Sequence, residues 1–126
     1  MRDQENISPR ARIEVSPDTV DAGRELVYRL VNEGQVSVMF GAGYGFEILA
    51  DSGWEPVNNR IAFAAWAAIL APGDTGTLRA RVPTHLHPAR YRLCTSVRAV
   101  GLDGRLMNDP AARIHLSAEF EVPARN

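Results

Sequence analysis

Leu86-His87-Pro88-Ala89-Arg90-Tyr91-Arg92-Leu93-Cys94-Thr95-Ser96-Val97-Arg98 is the stretch that decides the fold. From Tyr91 onward two kinds of side chain alternate. Tyr91, Leu93, Thr95 and Val97 share one face, and Arg90, Arg92, Cys94, Ser96 and Arg98 take the other. Successive side chains of a strand point to opposite faces, so residues 89–100 read as one long, half-buried strand. Pro88, just ahead of it, marks the end of a loop.

The same period of two recurs in both directions along the chain. Downstream, 101–110 reads as a loop. In 113–122, Ile114, Leu116, Ala118, Phe120 and Val122 face in, while His115, Ser117, Glu119 and Glu121 face out. Upstream, Leu78, Ala80 and Val82 alternate with Arg79 and Arg81. Pro72-Gly73-Asp74 closes the segment before them. That segment, 61–70, holds five alanines, which favour helix, but it is short and lies between strands. It reads as irregular or strand-like, with room for one helical turn. Trp54-Glu55-Pro56-Val57 and Tyr44/Phe46/Ile48 flank the turn Asp51-Ser52-Gly53 as a hairpin. Val36, Val38 and Phe40 form a short strand that stops at Gly41-Ala42-Gly43. Leu26, Tyr28 and Leu30 form another, ending at the turn Asn32-Glu33-Gly34. Ala11, Ile13 and Val15 form the first. Residues 1–10 read as a flexible lead, 11–123 as one domain and 124–126 as a tail. Seven to nine short antiparallel strands, each apolar on one side, are buried most simply by two facing sheets. The expected class is therefore an all-β sandwich.

The 86–93 stretch also resembles the L-x-P-G-x-Y-x-hydrophobic approach to the F strand of immunoglobulin-like β-sandwiches, with Ala89 in the place of the glycine. The resemblance implies that Tyr91 makes the tyrosine corner behind Pro88, and that Leu93 fills the place where antibody domains have a cysteine. More widely, Asn32-Glu33-Gly34, Phe40–Glu47, Asp51–Trp54, Leu70–Asp74 and Ala89–Leu93 follow in an order similar to that of bacterial immunoglobulin-like domains. Such domains are appended to, or stand as, secreted and cell-surface proteins. This implies a non-enzymatic binding or accessory role and, in many members, an extracytoplasmic setting.

Composition narrows the field. A chain of 126 residues with 45% apolar side chains can bury a core without staples. A net charge of −1 gives no global field for nucleic acid, and no run approaches the length of a membrane span. One cysteine, Cys94, excludes an internal disulfide and a multi-thiolate metal site. The first residues lack the apolar stretch of a signal peptide, which fits a cytosolic chain or a segment of a longer one. All the basic side chains other than histidine are arginine, as codon bias toward a GC-rich genome would produce.

Candidate chemistry is sparse. His85-x-His87 could bind a metal only if a third ligand such as His115 or Glu119 joined it. A solvated loop is the simpler reading. Cys94 has no histidine near it in sequence. Gly41-Ala42-Gly43-Tyr44-Gly45 is followed by strand alternation, not by the helix a phosphate loop needs, so a bulge or close backbone approach is expected. Glu47 and Glu55 flank a hairpin turn and could lie near each other. No metal, cofactor or catalytic set is expected. Binding candidates are Trp66, Trp54 and Tyr44 as aromatic contacts. Arg79, Arg81 and Arg92, with Arg90 and Arg98, would form a basic patch if their two strands share a sheet. The expected partner is a protein or cell-envelope component. The alternative is a small ligand or carbohydrate stacked on an exposed tryptophan flanked by Asn58, Asn59 or Asp51.

Overall fold

Strict alternation produces strands here because each has one apolar face to hide. In the computed structural model they form two facing sheets, described for residues 9–58, 63, 65–101 and 112–124. The strands are β1 (Ala11–Ser16), β2 (Glu25–Asn32), β3 (Val38–Gly41), β4 (Gly45–Ala50), β5 (Gly53–Pro56), β6 (Ala67–Leu70), β7 (Thr75–Arg81), β8 (Ala89–Ala99) and β9 (Arg113–Val122). The smaller sheet has the order β1-β2-β7. The larger holds the other six around β8, and all the ladders are antiparallel. The expected sandwich is what forms. Residues 1–8 of the expected lead and most of the 101–110 loop lie outside the described residues. Pro9 is already buried, and the Arg10 carbonyl accepts from Glu33 N at 2.8 Å.

β3 and β4 are one strand interrupted. Val38 opposes Ala99 and Gly45 opposes Cys94, so seven steps along one chain match five along β8. Two extra residues therefore bulge out in 42–44, where the sequence is Ala-Gly-Tyr. Thr95 Oγ1 donates to the Gly43 carbonyl at 2.9 Å and closes the gap beside β8. The glycine-rich stretch is thus the bulge expected of it. In the segment expected to be irregular or strand-like, Ala67–Leu70 is strand β6, paired with β3 from Val38↔Leu70 to Gly41↔Ala67. Residues 61, 62 and 64 of that segment lie outside the described residues.

The core is the inward set of both sheets. Leu26, Tyr28, Leu30, Val82, Tyr91, Leu93, Val97 and Phe120 are all at most 2% exposed. Burying each such side chain contributes about 1.5–3 kcal/mol. Tyr91 donates to the His87 carbonyl at 2.7 Å, four residues back, and its ring stacks on Phe120 at 5.9 Å. This is the tyrosine corner. Leu93 is fully buried, filling the cysteine position with aliphatic packing.

Asn32 is the buried polar side chain among the described residues. Its Nδ2 donates to the carbonyls of Val36 and Leu70, both at 2.9 Å, and its Oδ1 accepts from Gly34 N at 3.0 Å. Its backbone also exchanges hydrogen bonds with Gly73 and Asp74. One amide thus ties the end of β2 to the start of β3 and to the β6–β7 turn.

Candidate functional site

The two sheets do not close on the side where β6 and β7 form their edges. The opening is a cleft of about 600 Å³, lined by Tyr28, Phe40, Tyr44, Phe63, Trp66 and the Gly76–Arg79 backbone, among others. That volume lies within the usual range for ligand sites. Trp66 is 44% exposed and Phe63 39%, which is high for large apolar side chains. Trp66 meets Phe40 edge-on at 5.9 Å, and Phe63 meets Tyr44 at 4.9 Å. Two glycines make room here, one for the Phe40 ring and one for the Trp66 backbone. A Cβ on Gly76 would lie 3.2 Å from Phe40 Cζ, and one on Gly41 would lie 3.1 Å from the Trp66 carbonyl.

Among the described residues, the wall formed by β7 is an unpaired strand edge. Asn32 N bonds Asp74 O and Val82 N bonds Arg24 O, so the even-numbered residues of this stretch face β2. The backbone groups of Thr75, Thr77, Arg79 and Arg81 therefore face away from β2, toward the edge. Tyr44 hydroxyl accepts from Arg81 N at 3.1 Å and caps one end of this edge. Among the described residues no strand pairs with the rest of it. Next to the cleft, burial pushes the Tyr28 hydroxyl up to about 12, with the nearby Tyr44 adding to the shift.

A second concavity, about 740 Å³, lies on the larger sheet around Glu47, Arg92, Cys94, Ser96, His115 and Ser117. Arg92 donates to Glu47 Oε1 through Nε at 2.6 Å, and its guanidinium lies 4.5 Å from the centre of the Trp54 ring. Burial, with Glu47 adding, pushes the Cys94 thiol up to about 11. The thiol thus stays protonated near neutrality and is a poor nucleophile.

The candidates from sequence fall into two groups. Trp66, Tyr44 and Arg79 meet at the cleft, with Arg81 beside Tyr44. Trp54 and Arg92 sit elsewhere, on β5 and β8 of the larger sheet, where the arginine covers one face of the indole. The arginines do not form one patch. Arg79 and Arg81 lie on β7 in the smaller sheet, Arg90, Arg92 and Arg98 on β8 in the larger. Their strands belong to opposite layers, and Arg79, Arg90 and Arg92 have glutamate partners. Asn58 and Asp51 are described and Asn59 is not; neither of the first two lines the Trp66 cleft.

The histidines are not gathered either. His85 and His87 are exposed in the β7–β8 loop, whereas His115 on β9 opposes Ser96, about 23 Å of strand beyond Ala89. Among the described residues no three His, Cys, Asp or Glu side chains could hold a metal ion. Glu47 opposes Pro56 and Glu55 opposes Ile48, so the two carboxylates point to opposite faces of their hairpin. The sequence placed Tyr28 and Phe40 in strands and set Phe63, like Trp66, outside the plain core positions, without making it a binding candidate. The signal was present in the spacing of Phe63 and Trp66, but the register that sets them against β7 is tertiary.

The sequence matches the bacterial Ig-like domain family over residues 7–121. The chain belongs to that family. Family members are generally non-enzymatic. No curated protein matches it. Among solved structures, it is similar to an alkylpurine DNA glycosylase, AlkC, of Pseudomonas fluorescens bound to DNA containing an abasic-site analogue. Identity there is 19% and the TM-score 0.43, over 90% of this chain and 30% of that one. A protein of Bordetella pertussis assigned as ApaA shares 17% identity at a TM-score of 0.47, over 94% and 97% of the two chains. A β-glucosidase of Listeria innocua in complex with glucose shares 14% at 0.41, over 92% and 16%. The chain thus spans about a third or less of the length of either enzyme.

Proposed function

We propose that this Ig-like domain is a non-enzymatic interaction module that binds an extended segment of a protein partner along β7. The observation that carries the reading is a strand edge, unpaired among the described residues, beside an aromatic cleft. An added strand would use the backbone groups of Thr75, Thr77 and Arg79, and its alternate side chains would enter against Phe63 and Trp66. Backbone hydrogen bonds supply affinity in this mode, and the aromatic pocket supplies selectivity.

The test is to immobilise the domain and its Trp66→Ala variant, and to pass envelope and soluble fractions of the source cells over each. A photo-crosslinker at Thr77 then maps the contact. A partner retained by the wild type alone, with cross-links to the Thr77 position, supports the reading. Retention that ignores Trp66 and gives no cross-links there overturns it. A second reading, carbohydrate stacking on the open face of Trp66, is favoured by that side chain's exposure. It predicts release of bound material by free oligosaccharide.

A further inference from the structure

We propose that the outer face of the β8–β9 ladder carries an oxyanion-binding site at Arg98, Arg113 and His115, which accepts a phosphate, sulfate or carboxylate group of a partner. Along one half of this face every arginine is neutralised. Arg90 reaches Glu119 at 3.2 Å and Glu121 at 3.5 Å, and Arg92 reaches Glu47 at 2.5 Å. Along the other half the pattern reverses, and Arg98 stands directly opposite Arg113.

The position makes this opposition acute. Glu121 N and O bond Asp18 and Val20, away from β8. The cross-strand pairs from Arg90↔Glu121 to Arg98↔Arg113 are therefore the narrow, non-hydrogen-bonded kind, with Cα atoms about 4.5 Å apart. Like charges placed opposite each other there are destabilising. On its other side Arg98 is flanked by Met39, which brings no carboxylate. Arg98 Nε is shut off from solvent with no hydrogen-bond partner among the described residues. Buried polar atoms are normally satisfied, so this unmet guanidinium donor, on a residue whose cross-strand partner is a second arginine, marks a place for an acceptor. His115 lies two residues along β9 on the same face, opposite Ser96, and both line the 740 Å³ concavity. Two guanidinium forks beside an imidazole and a hydroxyl are the donors that oxyanions take.

The test uses the full chain at low ionic strength, with inorganic phosphate and a hexaglutamate peptide as separate probes, followed by calorimetry and by the arginine Nε–H NMR signals. Saturable binding that shifts the Arg98 signal is expected, weakened about tenfold or more by Arg98→Gln or Arg113→Gln and unchanged by Arg90→Gln. Arg113→Glu keeps the result readable. It places a carboxylate opposite Arg98, and should raise Tm while abolishing binding. Tighter phosphate binding points to a phosphorylated or sulfated group, and tighter hexaglutamate binding to an acidic segment. Either supports the site. No saturable binding to the wild type, or binding unchanged in both glutamine variants, overturns it.

Discussion

Tyr91 on β8 and Tyr44 in the bulge between β3 and β4 both bond backbone through their hydroxyls, yet they stand at opposite ends of one aromatic row. Tyr91 is fully buried, and its bond to the His87 carbonyl spans four residues. Tyr44 is half-buried, and its bond to Arg81 N joins the two sheets across thirty-seven residues. The first is a local corner that fixes how β8 leaves its loop. The second is a long-range strut on the rim of an open cleft. Rings link them in series: Tyr91 stacks on Phe120, Phe120 meets Phe46 at 5.7 Å, and Phe46 meets Tyr44 at 5.6 Å. One aromatic row is thus closed at one end and open at the other. The closed end stabilises, and the open end presents surface.

The largest effect of a substitution is expected at the closed end. Tyr91→Ala should destabilise by about 3–5 kcal/mol in urea unfolding, because it empties a packed site. Tyr44→Ala, at a half-buried position, should cost clearly less. A Tyr44 effect as large would mean that the cleft end is also core.

Asn32→Leu sharpens the link between the two ends. It leaves the Val36 and Leu70 carbonyls without their donor and should cost about 1–3 kcal/mol. Loosening of β6 should follow as faster amide exchange at Ala68 and Leu70, the β6 residues whose backbone faces β3, with Tyr91 unaffected.

The hydroxyls alone should separate the tyrosines again. Tyr91→Phe should cost about 1 kcal/mol. Tyr44→Phe should cost less, since water can reach the exposed Arg81 N–H. Trp66→Ala should change stability by no more than about 1 kcal/mol while removing partner retention, because the residue is already 44% exposed. A large loss of Tm in that variant would make Trp66 structural.

The smallest effect is one of pH. Both the Tyr28 hydroxyl and the Cys94 thiol are raised by burial, so the folded state favours their neutral forms. For each, the stabilisation is fully present below the unfolded pKa and is lost as pH rises through the folded one. Stability should therefore decline from about pH 9 to 11 through Cys94, and from about pH 10 to 12 through Tyr28. Cys94→Ser should remove the earlier part of that decline in a pH series of urea unfolding curves.

What could be read from the sequence was whatever repeats locally. The period of two along Tyr91–Val97 fixed a strand and its buried face. Pro88 with Tyr91 fixed the corner, and Asp51-Ser52-Gly53 fixed a hairpin, because each depends on bonds within a few residues. The 41–45 stretch already announced a bulge or a close backbone approach through its three glycines. Pairing partners were beyond reach. Nothing near Arg79 or Arg92 states that β7 joins β2 while β8 joins β4, so a single basic patch and two separate layers were equally compatible with the alternation. The tertiary fold alone set Phe63 and Trp66 against the edge of β7, and it placed Arg98 opposite Arg113. The physical reason is one of range. Side-chain alternation and turn chemistry are properties of neighbours in the chain, whereas register, open edges and opposed charges arise only when distant strands are brought together to bury their apolar faces.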